Sequence, residues 1–431
     1  MTTNYNYQKA KIGSLVLPQK QAISHPANLR NETNFYASAS QASFSNGSYF
    51  VIDIKQKIQE IYNISLLFTV GDIKQGLSFN SSVQHPVPQE EDLPYYHPSW
   101  NFWTRIELVI CNQVVETLYS VNQFISNQIF HSDEERFCIN NSAGAYNNIV
   151  SRRIKSNKVS EYICRLFSFC DVSKYFIGTG SQEIQLRVYM NSIENIYTVP
   201  VFIENNVIRP TFSGTPNPSL QCSVICESVN LTKSPLGQMK LAELYKQPNH
   251  AIFSQIRYGL YSVPVQTKTQ RIVLTSITGS ISVLMFVVRS TGQAGDSDYL
   301  TPWHFAPIKS YEILDQSSSN IIGGQPISSV VQRSLLRKWT KGTYTEEVYG
   351  NSTYRGNENN YANVYMWCFS QNPLDSVIKG RPMGNHKFSG NESLVINFDD
   401  QTLESPWVID VFGYSESVLE TGANSLNVIS L

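Results

Sequence analysis

The sequence predicts an all-β protein built as two tandem eight-stranded sandwiches, with short helices confined to the connections. Three observations carry this reading. Apolar residues recur at every second position through much of the chain, helical spacing is limited to a few short runs, and a proline-rich stretch divides the chain near its middle. At 431 residues the chain also exceeds the roughly 250–300 residues over which one hydrophobic core grows, so two cores are expected.

The alternation is cleanest over Glu183–Met190, where Ile184, Leu186, Val188 and Met190 share one face. Phe50, Ile52 and Ile54 repeat the pattern, as do Ile64, Leu66, Phe68 and Val70. Ile106, Leu108 and Ile110 mark a further strand, and Leu394, Ile396 and Phe398 another. Successive side chains of a strand point to opposite faces, so each run offers one apolar face to a core. Ile272–Leu274 and Ile281–Val288 are apolar on both faces and are expected between layers. Helical spacing occurs at Gln56–Tyr62, Leu236–Lys246 and Ser328–Trp339, the last with Val331, Leu335 and Trp339 four residues apart.

Between Asn205 and Ser219 the chain stacks Pro210, Gly214, Pro216 and Pro218, the signature of a break between strand runs. The expected division is an N-terminal arm over residues 1–45, a first sandwich over 46–204, a linker over 205–219 and a second sandwich over 220–431. The arm lacks strong alternation and is expected to order on assembly. Long loops are expected over Val83–Pro98, His131–Lys158, Thr291–Pro302 and Lys341–Asn360.

Charged residues make up 16% of the chain, against roughly 25% in average globular proteins, and uncharged polar residues take their place. With 12% aromatic and 41% hydrophobic residues the chain still buries enough apolar surface to fold. A formal net charge of -1 argues against an autonomous nucleic-acid binder. The seven cysteines form no Cys-x-x-Cys pair, and Cys111, Cys164, Cys222 and Cys226 sit in apolar strand-like runs. There they read as small hydrophobes in a protein folded under reducing conditions. The first residues show no charged region followed by an apolar stretch, and the longest apolar run, Ile281–Val288, is far short of the roughly 20 residues that span a bilayer. A soluble protein is expected.

No motif announces chemistry. The seven histidines show no helical ligand spacing, and nucleophile-elbow and phosphate-loop patterns are absent from the sequence. The acidic groups Asp133-Glu134-Glu135 and Asp399-Asp400 lack the alternating oxygen ligands of a calcium loop and read as solvated loops. No catalytic residue, metal site or cofactor is expected, and the protein is not read as an enzyme.

Several segments resemble one family. Thr104-Arg-Ile-Glu-Leu-Val-Ile-Cys-Asn-Gln-Val-Val-Glu-Thr-Leu118 is similar to a strand of the double jelly-roll major capsid proteins of adenovirus, tailless membrane-containing phages, virophages and Polinton-like elements. It departs from them at Cys111 and Asn112, where the family often has glycine. Cys164–Asp171 followed by Gly180–Leu186 resembles the end of that family's first roll. His250–Ile256, Arg271–Leu274, Gly279–Arg289, Tyr365–Gly380, Asn391–Leu394 and Val408–Ser415 follow in the order of its second. The resemblance implies an all-β double jelly roll and a viral major capsid protein whose homotrimers are pseudo-hexagonal and tile an icosahedral shell. It implies a location in the virion after synthesis as a soluble protein in the host cell. The partners implied are copies of itself, neighbouring trimers, penton or minor capsid proteins, and an internal membrane or packaged genome at the inner face. No small-molecule substrate is implied.

Within that reading, two basic clusters are candidates for inner-face contacts with nucleic acid or anionic lipid: Arg152, Arg153, Lys155 and Lys158 in an expected loop, and Arg333, Arg337, Lys338 and Lys341 along a short helix. The plainer reading of both is a solvated face or a salt-bridge donor. Two alternatives stand beside the capsid reading. One is a scaffold or minor capsid protein of the same fold. The other is a carbohydrate-active or carbohydrate-binding double jelly roll, using Tyr95-Tyr-His-Pro-Ser-Trp100, Trp103, Trp303 and Trp339 to stack on sugars. That rival requires a carboxylate cluster between the rolls, which sparse charge does not supply.

Overall fold

The strands form where the alternation placed them, and their order repeats one topology twice. The computed structural model describes residues 31–54, 59–82, 86–145, 149–166, 176–178, 183–204, 207–230, 249–264, 267–290, 305–339, 363–374, 384–398, 407–421 and 426–430, with a few positions between 235 and 242. In the first half, β1 (Asn31–Ala37), β2 (Tyr49–Asp53), β3 (Gln59–Val70), β4 (Trp103–Ile110), β5 (Gln113–Tyr119), β6 (Ser160–Arg165), β7 (Ile184–Met190) and β8 (Leu220–Asn230) build two facing sheets. Their orders are β1-β8-β3-β6 and β2-β7-β4-β5. In the second half, β9 (Asn249–Val263), β10 (Thr269–Val273), β11 (Thr278–Ser290), β12 (Ile308–Leu314), β13 (Ile327–Ser328), β14 (Val364–Cys368), β15 (Ser393–Phe398) and β16 (Trp407–Thr421) do the same. Their orders are β9-β16-β11-β14 and β10-β15-β12-β13. Each order of the second half is the first with eight added to every label. All these pairings are antiparallel, and successive strands mostly alternate between sheets, the wrapping that defines a jelly roll.

Burial follows the sequence pattern. Ile184, Leu186, Val188 and Met190 are buried from β7, and Phe50, Ile52 and Ile54 from β2 and the residue that follows it. Ile281–Val288 of β11 is buried throughout, for the reason its composition implied. Leu284, Phe286 and Val288 enter the second roll's own core, while Val283, Met285 and Val287 join the core of the first roll. The parallel expectation for Ile272–Leu274 does not hold: Val273 is exposed, because the outer face of the β10 sheet meets solvent there.

The domain boundary lies elsewhere than expected. Leu220–Asn230 is β8, paired along its length with β3 and with β1, so it closes the first roll instead of opening the second. The stretch over 205–219 is not a linker but part of the excursion between β7 and β8. Within it, Val207–Pro210 pairs with Val201–Glu204 and Phe212–Gly214 with Leu77–Phe79. Pro210 there ends a paired strand, and Pro216 and Pro218 lie in the irregular stretch before β8, so these prolines mark breaks inside a domain, which composition alone cannot distinguish from breaks between domains. The change from one roll to the other falls between Asn230 and Asn249. Residues 31–37 of the expected arm form an edge strand, and residues 1–30 lie outside the described residues.

Helix positions also differ. The pattern at Gln56–Tyr62 gives way to β3 from Gln59 onward, because pairing of Gln59, Glu60 and Ile61 with β8 supplies more hydrogen bonds than one isolated helical turn. The expected loop over His131–Lys158 contains two helices, α2 (Asp133–Ser142) and α3 (Ile149–Ser156), preceded by α1 (Ser120–Ile129). The helix expected over Ser328–Trp339 is present as α4 (Ser329–Trp339). The helix at Leu236–Lys246 and the loops at Thr291–Pro302 and Lys341–Asn360 lie largely or wholly outside the described residues.

Cys111 is not a strand residue. Ile110 pairs with Gln113, so Cys111 and Asn112 form a two-residue hairpin loop, with φ of 49° and 62°. Two consecutive positive φ values define a type I′ turn, which favours glycine and asparagine. The glycine that the resembling family carries here has a steric cause: a β-carbon in the left-handed region costs roughly 1–2 kcal/mol. Replacing Cys111 with glycine is therefore expected to stabilise the fold by about 1 kcal/mol after the entropy of glycine is subtracted. Denaturant unfolding of the wild type and Cys111→Gly checks this.

Candidate functional site

Among the described residues no group of three or more His, Cys, Asp and Glu side chains is placed to hold a metal ion, and no helix is long and apolar enough to cross a membrane. The thiols of Cys164 and Cys226 are pushed up to about 12 by burial, which makes them poor nucleophiles. The most elaborate arrangement of side chains is the junction between the two rolls.

That junction is organised by α1. It begins at Ser120, directly after β5 ends at Tyr119, and all ten of its residues are buried. One side faces its own roll, where Phe124 packs on Trp100 at 5.4 Å. The other faces the β9-β16-β11-β14 sheet of the second roll. Asn122 and Ser126 lie four residues apart and so share a face. Asn122 Nδ2 donates to the Tyr414 hydroxyl at 2.9 Å, and Ser126 Oγ lies 2.8 Å from the same oxygen. Phe130 meets the Tyr414 ring edge-on at 6.2 Å. Burial pushes the Tyr414 phenol up to about 12, and its bonds to Ser126 and Asn122 partly oppose that shift.

Next to the helix, Tyr119 meets Tyr258 at 4.1 Å between ring centres, and Tyr258 stacks on Phe412 at 5.3 Å. Gln255 Nε2 donates to the Val115 carbonyl at 3.0 Å, a direct bond from β9 to β5. On the same sheet face Arg289 pairs with Asp410 at 2.5 Å, and the Tyr258 hydroxyl donates to Asp410 at 2.7 Å. Burial, and then the Asp410 charge, holds the Tyr258 phenol above its usual range. The result is one hydrophobic cluster shared by both rolls, in which Phe124 and Phe130 sit with Met285, Phe412 and Tyr414.

The sequence-predicted basic residues are placed differently from each other. Arg152, Arg153 and Lys155 lie on α3, not in a loop. Arg152 is buried at 3% exposure. The guanidinium groups of Arg152 and Arg153 lie 5.7 and 5.9 Å from the Tyr95 ring centre, and Lys155 Nζ lies 4.6 Å from that of Tyr162. These cations pack near aromatic rings of the first roll, Tyr95 and, in β6, Tyr162. Lys158 is the cluster's exposed member, so the basic surface is smaller than four neighbouring charges implied. Arg333, Arg337 and Lys338 belong to α4, and Lys341 lies outside the described residues.

The acidic trio is the first turn of α2. Ser132 caps that helix: its Oγ accepts from the Glu135 amide at 3.4 Å, and the Glu135 carboxylate accepts from the Ser132 amide at 3.0 Å. Negative charge is favoured at a helix N-terminus, which accounts for three acids together. The spacing Ser132-x-x-Glu135 was a readable signal for this helix. Asp399 and Asp400 lie outside the described residues. His97 is buried, and burial together with the nearby Arg152 charge lowers its pKa to about 3. The aromatic run proposed for sugar stacking is interior: Tyr95, Tyr96, Trp100 and Trp103 are at most 1% exposed, and Trp339 packs on Trp367 at 5.5 Å. These rings are structural, and the carbohydrate reading loses them, while Trp303 lies outside the described residues.

No family model matches the chain, and no curated protein does. Solved structures do. PBCV-1 VP54, fitted into a reconstruction of the virophage Sputnik, superposes with a TM-score of 0.65 at 13% identity, covering 93% of this chain and 96% of that one. The Faustovirus major capsid protein gives 0.58 at 8% identity, covering 97% of each chain. The mavirus major capsid protein gives 0.51 at 10% identity, covering 92% of this chain and 90% of that one. The fold is a double jelly roll.

Two outcomes follow from this geometry. Tyr414→Phe leaves Asn122 and Ser126 with a buried partner missing and is expected to cost roughly 1–3 kcal/mol in denaturant unfolding. His97 takes up a proton in the unfolded chain near pH 6.5 but in the folded chain only near pH 3. Its contribution is thus fully present above about pH 6.5 and is lost as pH falls towards 3, at up to about 1.4 kcal/mol per pH unit. His97→Gln is expected to remove that part of the acid slope when stability is measured from pH 7 to pH 4.

Proposed function

We propose that this chain is a viral major capsid protein, a structural component of the virion and not an enzyme. In this reading it assembles as a homotrimer that presents a pseudo-hexagonal outline and tiles an icosahedral shell. The observation that carries the reading is the double repeat of one strand order, β1-β8-β3-β6 with β2-β7-β4-β5 and then the same again, with the two rolls joined by the hydrophobic cluster around α1. Three such chains set six similar sandwiches around an axis. Six similar flanks tile a surface with few kinds of contact, and closed symmetric assemblies favour such economy. Two of the three superposed chains are major capsid proteins by their printed descriptions, and the length match extends over nearly all of each of the three.

The surface composition suits assembly. Charge is sparse at 16%, and interface cores are depleted in charge and enriched in aromatic residues. The partners that fit are copies of the same chain, neighbouring trimers, and penton or minor capsid proteins where the lattice changes symmetry. Lys158 and the basic residues of α4 are candidates for contact with packaged genome or an internal membrane. Purified protein examined by sedimentation and negative-stain electron microscopy is expected to run at three times the chain mass and to show particles of near-hexagonal outline. A strictly monomeric species at high concentration overturns the proposal.

A further inference from the structure

Between β7 and β8 the first roll sends out a hairpin in which Val201–Glu204 pairs with Val207–Pro210. Its root is fixed. Asn80 Nδ2 donates to the Pro210 carbonyl at 2.9 Å, the Asn80 amide donates to the Thr211 carbonyl at 2.9 Å, and Thr211 Oγ1 donates to the Asp92 carbonyl at 2.6 Å. Just beyond, Phe212 packs on Phe79 at 5.3 Å. The ribbon itself is uncovered. Val201 is 60%, Val207 49% and Ile208 67% exposed, and among the described residues no third strand joins it. A two-stranded ribbon is marginal in water and is stabilised by further strands.

The register shows which backbone groups of the ribbon turn outward. In an antiparallel pair, rungs that exchange hydrogen bonds alternate with rungs that do not. The Thr211 amide donates to the Pro200 carbonyl at 2.8 Å, so the bonded rungs are Pro200 with Thr211, Phe202 with Arg209 and Glu204 with Val207. Ile208 and Pro210 stand on the intervening rungs, and their backbone groups point away from the partner strand. The bond from Asn80 to the Pro210 carbonyl agrees with this direction. Proline has no amide and that carbonyl is taken, so the edge ends at Pro210. Ile208 keeps an outward amide and an outward carbonyl.

Such an edge is a template for another strand, and proteins commonly blunt it with lysine, a bulge or a covering segment. Val207–Arg209 has no lysine and no bulge. Two identical copies of it fit one another. Antiparallel pairing centred on Ile208 lets each Ile208 amide donate to the other's carbonyl, the mutual bonding of a two-fold contact. In that register Val207 lies opposite Arg209, and the two Ile208 side chains lie together on the face that also carries Val201. Centring on Arg209 instead opposes two positive charges and offers no outward backbone groups.

We infer that Val207–Arg209 pairs with the same segment of a second copy of this chain, joining two hairpins into one four-stranded sheet about a two-fold axis at Ile208. A two-fold contact closes after two copies and builds no three-membered ring, so it links one trimer to the next. That placement rests on the capsid reading above.

The test uses the full chain carrying Cys111→Ser and Cys138→Ser, which remove the exposed thiols. Partners on a bonded antiparallel rung have Cα atoms about 5.5 Å apart, within the span of a disulfide. Ile208→Cys is expected to give, on mild oxidation, a covalent dimer of chains within species larger than one trimer, and Val201→Cys on the opposite strand is not. Ile208→Asp sets two carboxylates against each other and is expected to weaken association of trimers in sedimentation by roughly tenfold or more, with the trimer and its thermal unfolding unchanged. Trimers that form no larger species at high concentration overturn this inference and leave the capsid reading standing. So do larger species in which position 208 fails to cross-link or Ile208→Asp has no effect. A dimer linked at position 208 without any trimer upholds the pairing and overturns the capsid reading. A wild type that stays monomeric overturns both.

Discussion

Everything in the architecture turns on the burial of α1 between two sheets. A jelly roll buries its inner faces by itself, so two of them in tandem need not touch. Here a ten-residue helix at the edge of the first roll fills the space against the outer face of the second, and the hydrophobic cluster runs on from one roll to the next. Burying β11 on both faces is the consequence. Its alternate residues Val283, Met285 and Val287 gain an apolar environment that a free-standing roll would expose to water.

The junction is selective as well as cohesive. Aromatic contacts such as Tyr119 with Tyr258 supply area with little loss of side-chain freedom, and polar groups fix the register. The hydroxyl of Tyr414 is the meeting point of Asn122 and Ser126, so a shift of the helix along the sheet would break both bonds. The pair of Arg289 with Asp410 acts in the same sense. Such a buried pair adds little net stability, but either partner alone is costly, so alternative arrangements of this sheet face are penalised. The shared cluster couples the two rolls within one chain, which the proposed role as a shell subunit would use.

Local pattern made most strands legible. Ile184, Leu186, Val188 and Met190 announced β7 and its buried face, and Ile281–Val288 announced a strand between two layers. The helices of the first roll were not legible by periodicity, because α1 is buried on every side and its Asn, Gln and Ser residues hide any apolar stripe. Its repeat with α4, Ser-Val-x-Gln, became visible only when β5 and β13 were known to be equivalent. The cap of α2 at Ser132 and Glu135 was legible and local, yet its acids also fit a solvated loop. Cys111 and Asn112 read as strand interior until the register of β4 with β5 placed them in the turn.

Composition and periodicity by themselves determined that the chain is all-β, holds two cores, lacks a sequence motif for catalysis or metal binding, and places named residues on inner faces. These are properties of residues two apart, and side-chain direction along a strand reports them directly. Tertiary structure decided which strands share a sheet, that β8 belongs to the first roll across the proline-rich stretch, and that Arg152, Tyr95 and Trp100 lie inside. Pairing joins residues far apart in sequence, such as Phe35 and Ile225, and what covers a face depends on its partner layer, about which the order of residues along one strand carries no information.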